Sequence, residues 1–149
     1  VSTLVLVPYL REEVGLPIVA AGGISTGKQM AAAIACGACA VIVGTRLITA
    51  TESRASKAYK QAVIDTGPEG IVCTDRVTGN PANWIASSIE DMEERPPLTS
   101  KKWRDFWSAG QSVAQAREIK PAAEIIAEIA DEYCETCRRM HNTVVLNGL

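Results

Sequence analysis

The sequence is poor in several residue types that announce a function. Of 149 residues one is histidine and one is phenylalanine, and aromatic residues make up 5%. A single histidine excludes a metal centre built from several imidazoles. No apolar stretch reaches the roughly 18 residues of a membrane span. No run of five basic residues occurs and the formal net charge is −2, so neither nucleic acid nor a membrane is an expected partner. The amino end, VSTLVLVPYLREEVG, has no basic n-region and does not read as a secretion signal. It also lacks an initiator methionine and starts inside an apolar pattern, which reads as a cut chain. The cysteine count, five, is odd. Free thiols in a reducing cytoplasm are the simplest account. Two C-x-x-C pairs occur, Cys36/Cys39 and Cys134/Cys137. Cys36 falls at an expected helix end and Cys39 at a strand entrance, whereas zinc knuckles place their pairs on tight turns, so no metal site is expected.

The apolar pattern specifies alternating elements. Leu4, Val7, Leu10 and Val14 have helical spacing, and Gly15 is a stop. Leu16 to Ala21 is an almost wholly apolar run, the signature of a strand buried on both faces. Ser25 or Thr26 caps a helix running to about Cys36, closed by Gly37. A second apolar run, Ala38 to Val43, ends at Gly44. The result is a parallel βαβ unit. Glu52 to Ile64 reads as a helix and Ile71 to Thr74 as a short strand. The region that follows, with the turn Thr78-Gly79-Asn80-Pro81 and the break at Pro96-Pro97, reads as irregular. It holds Trp84, Trp103 and Trp107, expected in a core, and the acids Glu90-Asp91 and Glu93-Glu94, expected on a wet surface. Cys73 is expected to be buried. Ile119, Ala123, Ile126, Ala130 and Tyr133 define the expected buried face of a last helix with an interruption near Pro121, and Asn142–Leu149 are expected to fray. The expected organisation is one partial domain over 1–149: a βαβ unit over 1–66, an irregular excursion over 67–110 and a carboxyl-terminal helix over 111–141.

The chemistry concentrates at two strand ends, Gly22-Gly23 and Gly44-Thr45. In parallel α/β folds ligands bind beyond the carboxyl ends of strands. Glycines there admit a close approach of backbone to ligand, and amides entering a helix favour an anion. In (β/α)8 barrels a phosphate site commonly forms from the loops after strands seven and eight. Gly22, Gly23, Gly44 and Thr45 are therefore expected to hold a phosphate. Arg46 faces either that phosphate or an acid. Asp75 and Arg76 read as solvated loop charges, and His141 as a solvated or capping group on a charged helix end.

The segment PIVAAGGISTGKQMAAAIACGACAVIVGTRLITATES resembles the flavin-phosphate segment of the nitronate monooxygenases, formerly 2-nitropropane dioxygenases. The flavin-dependent enoyl-acyl carrier protein reductases are similar. Glu52-Ser53 with Tyr59-Lys60, then Thr78-Gly79-Asn80-Pro81-Ala82, then Ala109-Gly110-Gln111 extend the resemblance over about residues 2–130. It implies the carboxyl-terminal portion of a TIM (β/α)8 barrel, a form that needs about 250 residues when complete. It implies FMN, with the phosphate over Gly22-Gly23 and over Ile42-Val43-Gly44-Thr45, and with Gln111 approaching the flavin. The implied activity is oxidation of alkyl nitronates with oxygen by a cytoplasmic flavoprotein oxidoreductase. The family's catalytic histidine belongs to a Gly-Gly-His segment that this sequence does not contain, so no catalytic residue is carried over and the chain alone is expected to be inactive. Cys36 and Cys39 depart from the family pattern at packing positions. Three alternatives stay open. One is an NAD(P)H-dependent reductase of enoyl thioesters on the same scaffold. Another is a non-catalytic half-barrel that pairs with its own copy or with an amino-terminal half. The third is a nucleotide-monophosphate dehydrogenase, against which no catalytic cysteine loop of that family is found.

Overall fold

A computed structural model describes residues 1–90 and 106–146. Trp103, Pro96-Pro97, Asp91 and Glu93-Glu94 lie outside the described residues, as do residues 147–149. Helix α1 spans Thr3–Val14 and stops at Gly15, whose φ of 59° is the left-handed turn that a side chain resists. Of the apolar positions that marked α1, only Val7 is fully buried; Leu4 and Val14 stay half-exposed.

Strands β1 (Val19–Ala21) and β2 (Ala40–Ile42) pair in parallel, Val19 with Ala40, Ala20 with Val41 and Ala21 with Ile42. Helix α2 (Gly27–Ala35) connects them. Thr26 caps α2 in a reciprocal box: its hydroxyl accepts from the Gln29 N–H, and Gln29 Oε1 accepts from the Thr26 N–H at 3.0 Å. The two strands were expected to be buried on both faces, and they are not. Ala20 is buried with Val7, Ile24, Ala33 and Ala38, while Val19 and Ile42 remain 50% and 57% exposed. Helices α1 and α2 cover one side of the pair, and nothing among the described residues covers the other.

The chain continues through a short α3 (Thr45–Ile48) to α4 (Lys57–Asp65), capped by Ser56. The helix expected from Glu52 begins five residues later because Glu52 is used elsewhere: its carboxylate accepts the Ala122 N–H at 3.0 Å. Buried Lys60 fastens the intervening loop by donating to the Ala50 and Thr51 carbonyls at 2.6 and 3.2 Å. The region read as irregular contains a hairpin. Strand β3 (Ile71–Thr74) pairs antiparallel with β4 (Ala82–Ile85), Val72 opposite Trp84. Trp84 is buried with Val77 and Ile89, and half-buried Trp107 stacks on Tyr59 with ring centroids 5.6 Å apart. Cys73, expected inside, is exposed in β3 opposite exposed Asn83.

The last helix is also displaced from its expected place. Gln111–Gln115 form a 3-10 turn, and α5 begins only after Pro121, running Ala122–Leu146. The Pro121 carbonyl starts it by accepting the Glu124 N–H at 3.0 Å. Helix therefore extends through part of the stretch expected to fray. The buried stripe is Ile125, Ile129 and Thr136, whereas Ile119 and Ile126 are 44% and 57% exposed. Both stripes carry apolar residues at helical spacing, and contact with Ala50 and Met30 selects the first. α5 crosses α2 at Gly27, where a Cβ would lie 2.1 Å from the Tyr133 nitrogen. A second core, Val63, Ile71, Ile85, Ala109, Val113 and Ala116, joins α4, the hairpin and the 3-10 turn. No helix among the described residues is long and apolar enough to cross a membrane.

Candidate phosphate-binding site

Parallel pairing sets the geometry of the strand ends. Because Ala21 lies beside Ile42, Gly22-Gly23 and Val43-Gly44-Thr45 leave the sheet at the same end. Gly22 and Gly23 have φ of 94° and 71°, so the reversal needs glycine. The Thr3 hydroxyl, at the start of α1, donates to the Gly22 carbonyl at 2.8 Å and the Ala21 carbonyl at 3.1 Å, holding the turn from behind. A Cβ built on Gly23 or Gly44 would meet nothing within 4 Å. Gly22, Gly23 and Gly44 are exposed. The two loops thus lie next to each other and uncovered, as a ligand reached by backbone requires.

The start of α2 does not serve as an anion site. Gln29 Oε1 accepts the Ser25 and Thr26 N–H groups at 2.8 and 3.0 Å, and Glu132 Oε2 accepts the Gly27 N–H at 2.8 Å. With the Gln29 N–H given to Thr26 Oγ1 and the Met30 N–H to the Thr26 carbonyl, these contacts take up donors at the helix start and leave the backbone at Gly22-Gly23 and Gly44-Thr45 as the open one at this end of the pair.

A third segment joins the two. Gly110 donates its N–H to Thr45 Oγ1 at 2.9 Å. Gly110 and Gln111 then line, with Gly22, Gly23 and Ile24, a cavity of about 540 Å³. Among the described residues no charged side chain lines it, and Asn83 of β4 and Gln29 contribute carboxamides. Asn83 escaped the sequence reading; its signal was its position just past the Thr78–Pro81 turn. Ile42 keeps its side chain exposed on the uncovered face of β2. Val43 turns to the α5 core with Ala50, Ile125 and Ile129, so only its backbone belongs to the loop.

Arg46, left open between phosphate and acid, packs behind the loop. It donates to the Ser25 carbonyl at 2.7 Å and pairs with Glu128. Lys120 adds contacts of 2.6 Å to Glu118 and 2.5 Å to Glu128. Lys120 above all, with Arg46, holds the Glu128 carboxyl below its usual range, against a smaller opposing effect of burial. Burial works against ionisation of Glu132 as well, yet the hydrogen bonds from Lys28 and the Gly27 N–H keep its pKa low. The Ala122 N–H does the same for Glu52. Asp75, Arg76 and His141 do not line the cavity. His141 is exposed on α5. Cys36, Cys39, Cys73, Cys134 and Cys137 are all free thiols, and among the described residues no group of three or more His, Cys, Asp or Glu could hold a metal.

The fold and the site define an α/β protein with glycine loops at the ends of adjacent parallel strands; Gly22-Gly23 open on the cavity, and Gly44-Thr45 reach it only through the bond from Gly110 to Thr45. Residues 1–102 match the family model for nitronate monooxygenase. The chain belongs to the nitronate monooxygenase family. It is 30% identical to a nitronate monooxygenase of Paraburkholderia phytofirmans over 162 aligned positions, covering 93% of this chain and 44% of the relative. It is 38% identical to a probable nitronate monooxygenase of Staphylococcus saprophyticus over 95 positions, covering 63% and 27%. FabK from Thermotoga maritima superposes with a TM-score of 0.81 at 32% identity, over 96% of this chain and 52% of that one. A nitroalkane oxidase from Streptomyces ansochromogenes gives 0.79 at 28%, over 94% and 46%. The family resemblance drawn from the sequence therefore holds. The chain spans less than half the length of these curated relatives.

Proposed function

We propose that this chain is the carboxyl-terminal portion of a (β/α)8 barrel oxidoreductase that uses FMN to oxidise alkyl nitronates with oxygen, and that its share of the work is gripping the FMN phosphate. The observation that carries the proposal is the convergence of three segments: Gly22-Gly23, Gly44-Thr45 and Gly110-Gln111. The open space at Gly23 and Gly44 fits a phosphate held by backbone, and the uncharged lining fits the remainder of a flavin. The half-exposed Val19 and Ile42 would face the rest of the barrel. FMN would supply the redox chemistry. The chain's own residues bind and orient: glycine amides and the Thr45 hydroxyl hold the phosphate, and Gln111 and Asn83 present carboxamides to whatever fills the cavity. No residue of this chain is assigned to proton transfer, and the absence of the family's Gly-Gly-His segment implies that the chain alone turns over no nitronate. The test is a titration of the chain with FMN followed by flavin fluorescence, then an alkyl nitronate assay with oxygen. Binding without turnover is expected. Failure to bind FMN overturns the cofactor assignment, and turnover at the rate of a full-length relative overturns the division of labour.

The match to FabK over nearly the whole chain favours one second reading, a reductase of enoyl thioesters on the same phosphate site. Steady-state assays of the whole polypeptide with an enoyl thioester plus NAD(P)H and with an alkyl nitronate separate the two.

A further inference from the structure

We infer that Thr45 is a positioning residue that couples occupancy of the phosphate site to the placement of Gln111. The inference rests on the phosphate reading above and adds a role for one hydroxyl. Thr45 follows Gly44 at the end of β2, and its Oγ1 accepts the Gly110 N–H at 2.9 Å. A threonine hydroxyl has one proton to give and two lone pairs to accept with. Among the described residues, the Thr45 hydroxyl donates to no protein acceptor. Its proton is therefore available to an anion arriving at Gly44. An anion that takes this proton polarises the hydroxyl oxygen and strengthens the bond that Gly110 gives it.

Gly110 sits where that strengthening has an effect. Its carbonyl accepts the Val113 N–H at 3.1 Å and opens the 3-10 turn that begins with Gln111. The residues just before it are anchored separately. The Ile85 N–H donates to the Trp107 carbonyl at 2.8 Å, the Trp107 N–H to Ser88 Oγ at 3.1 Å, and the Tyr59 hydroxyl to the Ser108 carbonyl. Residues 107 and 108 thus belong to the hairpin and α4, while Gly110 is tied to the end of β2 through Thr45. A tighter Thr45–Gly110 bond draws the first residue of the turn, and with it Gln111, toward the strand ends. The cavity that Gln111 lines is then shaped by whether its phosphate end is filled.

Amide hydrogen exchange at Gly110 in the whole polypeptide tests this, with FMN, with riboflavin, which has no phosphate, and with inorganic phosphate. FMN at saturation is expected to slow exchange of the Gly110 amide about tenfold, inorganic phosphate to reproduce part of the effect, and riboflavin to give none. Thr45→Ser keeps the hydroxyl and keeps the effect; Thr45→Val removes both. Thr45→Ala replaces the valine variant if circular dichroism shows the latter unfolded. A merely structural threonine would alter exchange equally with and without the phosphate group. If FMN binds and the Gly110 amide does not respond, or responds equally in Thr45→Val, the coupling is wrong and the phosphate site stands. If the unaltered protein binds neither FMN nor phosphate, the phosphate reading fails and the coupling fails with it.

Discussion

Gly27 and Gly44 are both glycines at the start of a helix, and they are there for opposite reasons. At Gly27 there is no room: α5 backbone occupies the space a Cβ would need, with Tyr133 N at 2.1 Å and the Ile129 carbonyl oxygen at 2.5 Å. At Gly44 there is nothing within 4 Å. The first glycine lets two helices touch, and the second leaves a surface on which nothing from the described protein has been placed. A glycine in a sequence does not reveal which of these it is. What surrounds the position decides, and the open space at the end of β2 leaves room for the ligand proposed above.

Substitutions at the two kinds of glycine break or sharpen this contrast. Gly27→Val is expected to be the most damaging, at about 3 kcal/mol or more, because the obstruction is backbone and cannot swing aside. Urea unfolding measures it; a loss under about 1 kcal/mol would show that α2 and α5 can separate cheaply. Ile125→Ala, on the buried stripe of α5, should cost about 3 kcal/mol, and its half-exposed neighbour Ile126→Ala no more than about 0.5 kcal/mol. Equal losses would return α5 to the register expected from sequence. Gly44→Val should leave stability within about 0.5 kcal/mol, since its φ of −103° suits any residue, and should weaken FMN binding about tenfold or more. Gly23→Ala adds a backbone cost of about 1 kcal/mol because of its φ of 71°.

The smallest expected effect is on acid stability. Glu52, Glu128 and Glu132 all have carboxyl groups held below their usual value of 4.5. A lowered folded-state pKa contributes stability above the unfolded value and loses it as pH falls through the folded one. The urea midpoint should therefore fall as the pH drops below the ordinary carboxyl value of 4.5. Glu128→Gln, which removes one of the three groups, should lower the midpoint at neutral pH and reduce the size of the acid drop. A midpoint that rises into acid would mean that the clamps around α5 contribute nothing.

What could be read in advance follows from how local each signal was. The α2 cap, narrowed to Ser25 or Thr26 and taken by Thr26, the Gly15 stop and the two strand ends are specified within a few residues, and each stands where the sequence places it. The β4 strand was illegible because Pro81 and Asn83 look like turn chemistry, and its pairing with β3 is a tertiary choice. The α5 stripe was misread because two adjacent rows of apolar residues compete and only the partner selects one. The exposed faces of Val19 and Ile42 could not be read from an all-apolar run, which looks the same whether one side is covered or both. At the site, glycine marked the loops; the contribution of Asn83 and the tie from Gly110 to Thr45 depend on residues far apart in sequence.

The plugging of the α2 start by Gln29 and Glu132 has a consequence for how the protein meets ordinary salts. A bare helix start would offer chloride or sulfate a berth of its own, separate from the glycine loops. With that berth filled by the protein's own oxygens, an anion at this end of the described parallel pair is left the loops at Gly22-Gly23 and Gly44-Thr45, where, on the function proposed above, it would contend with FMN. On that same proposal, inorganic phosphate would compete with the cofactor.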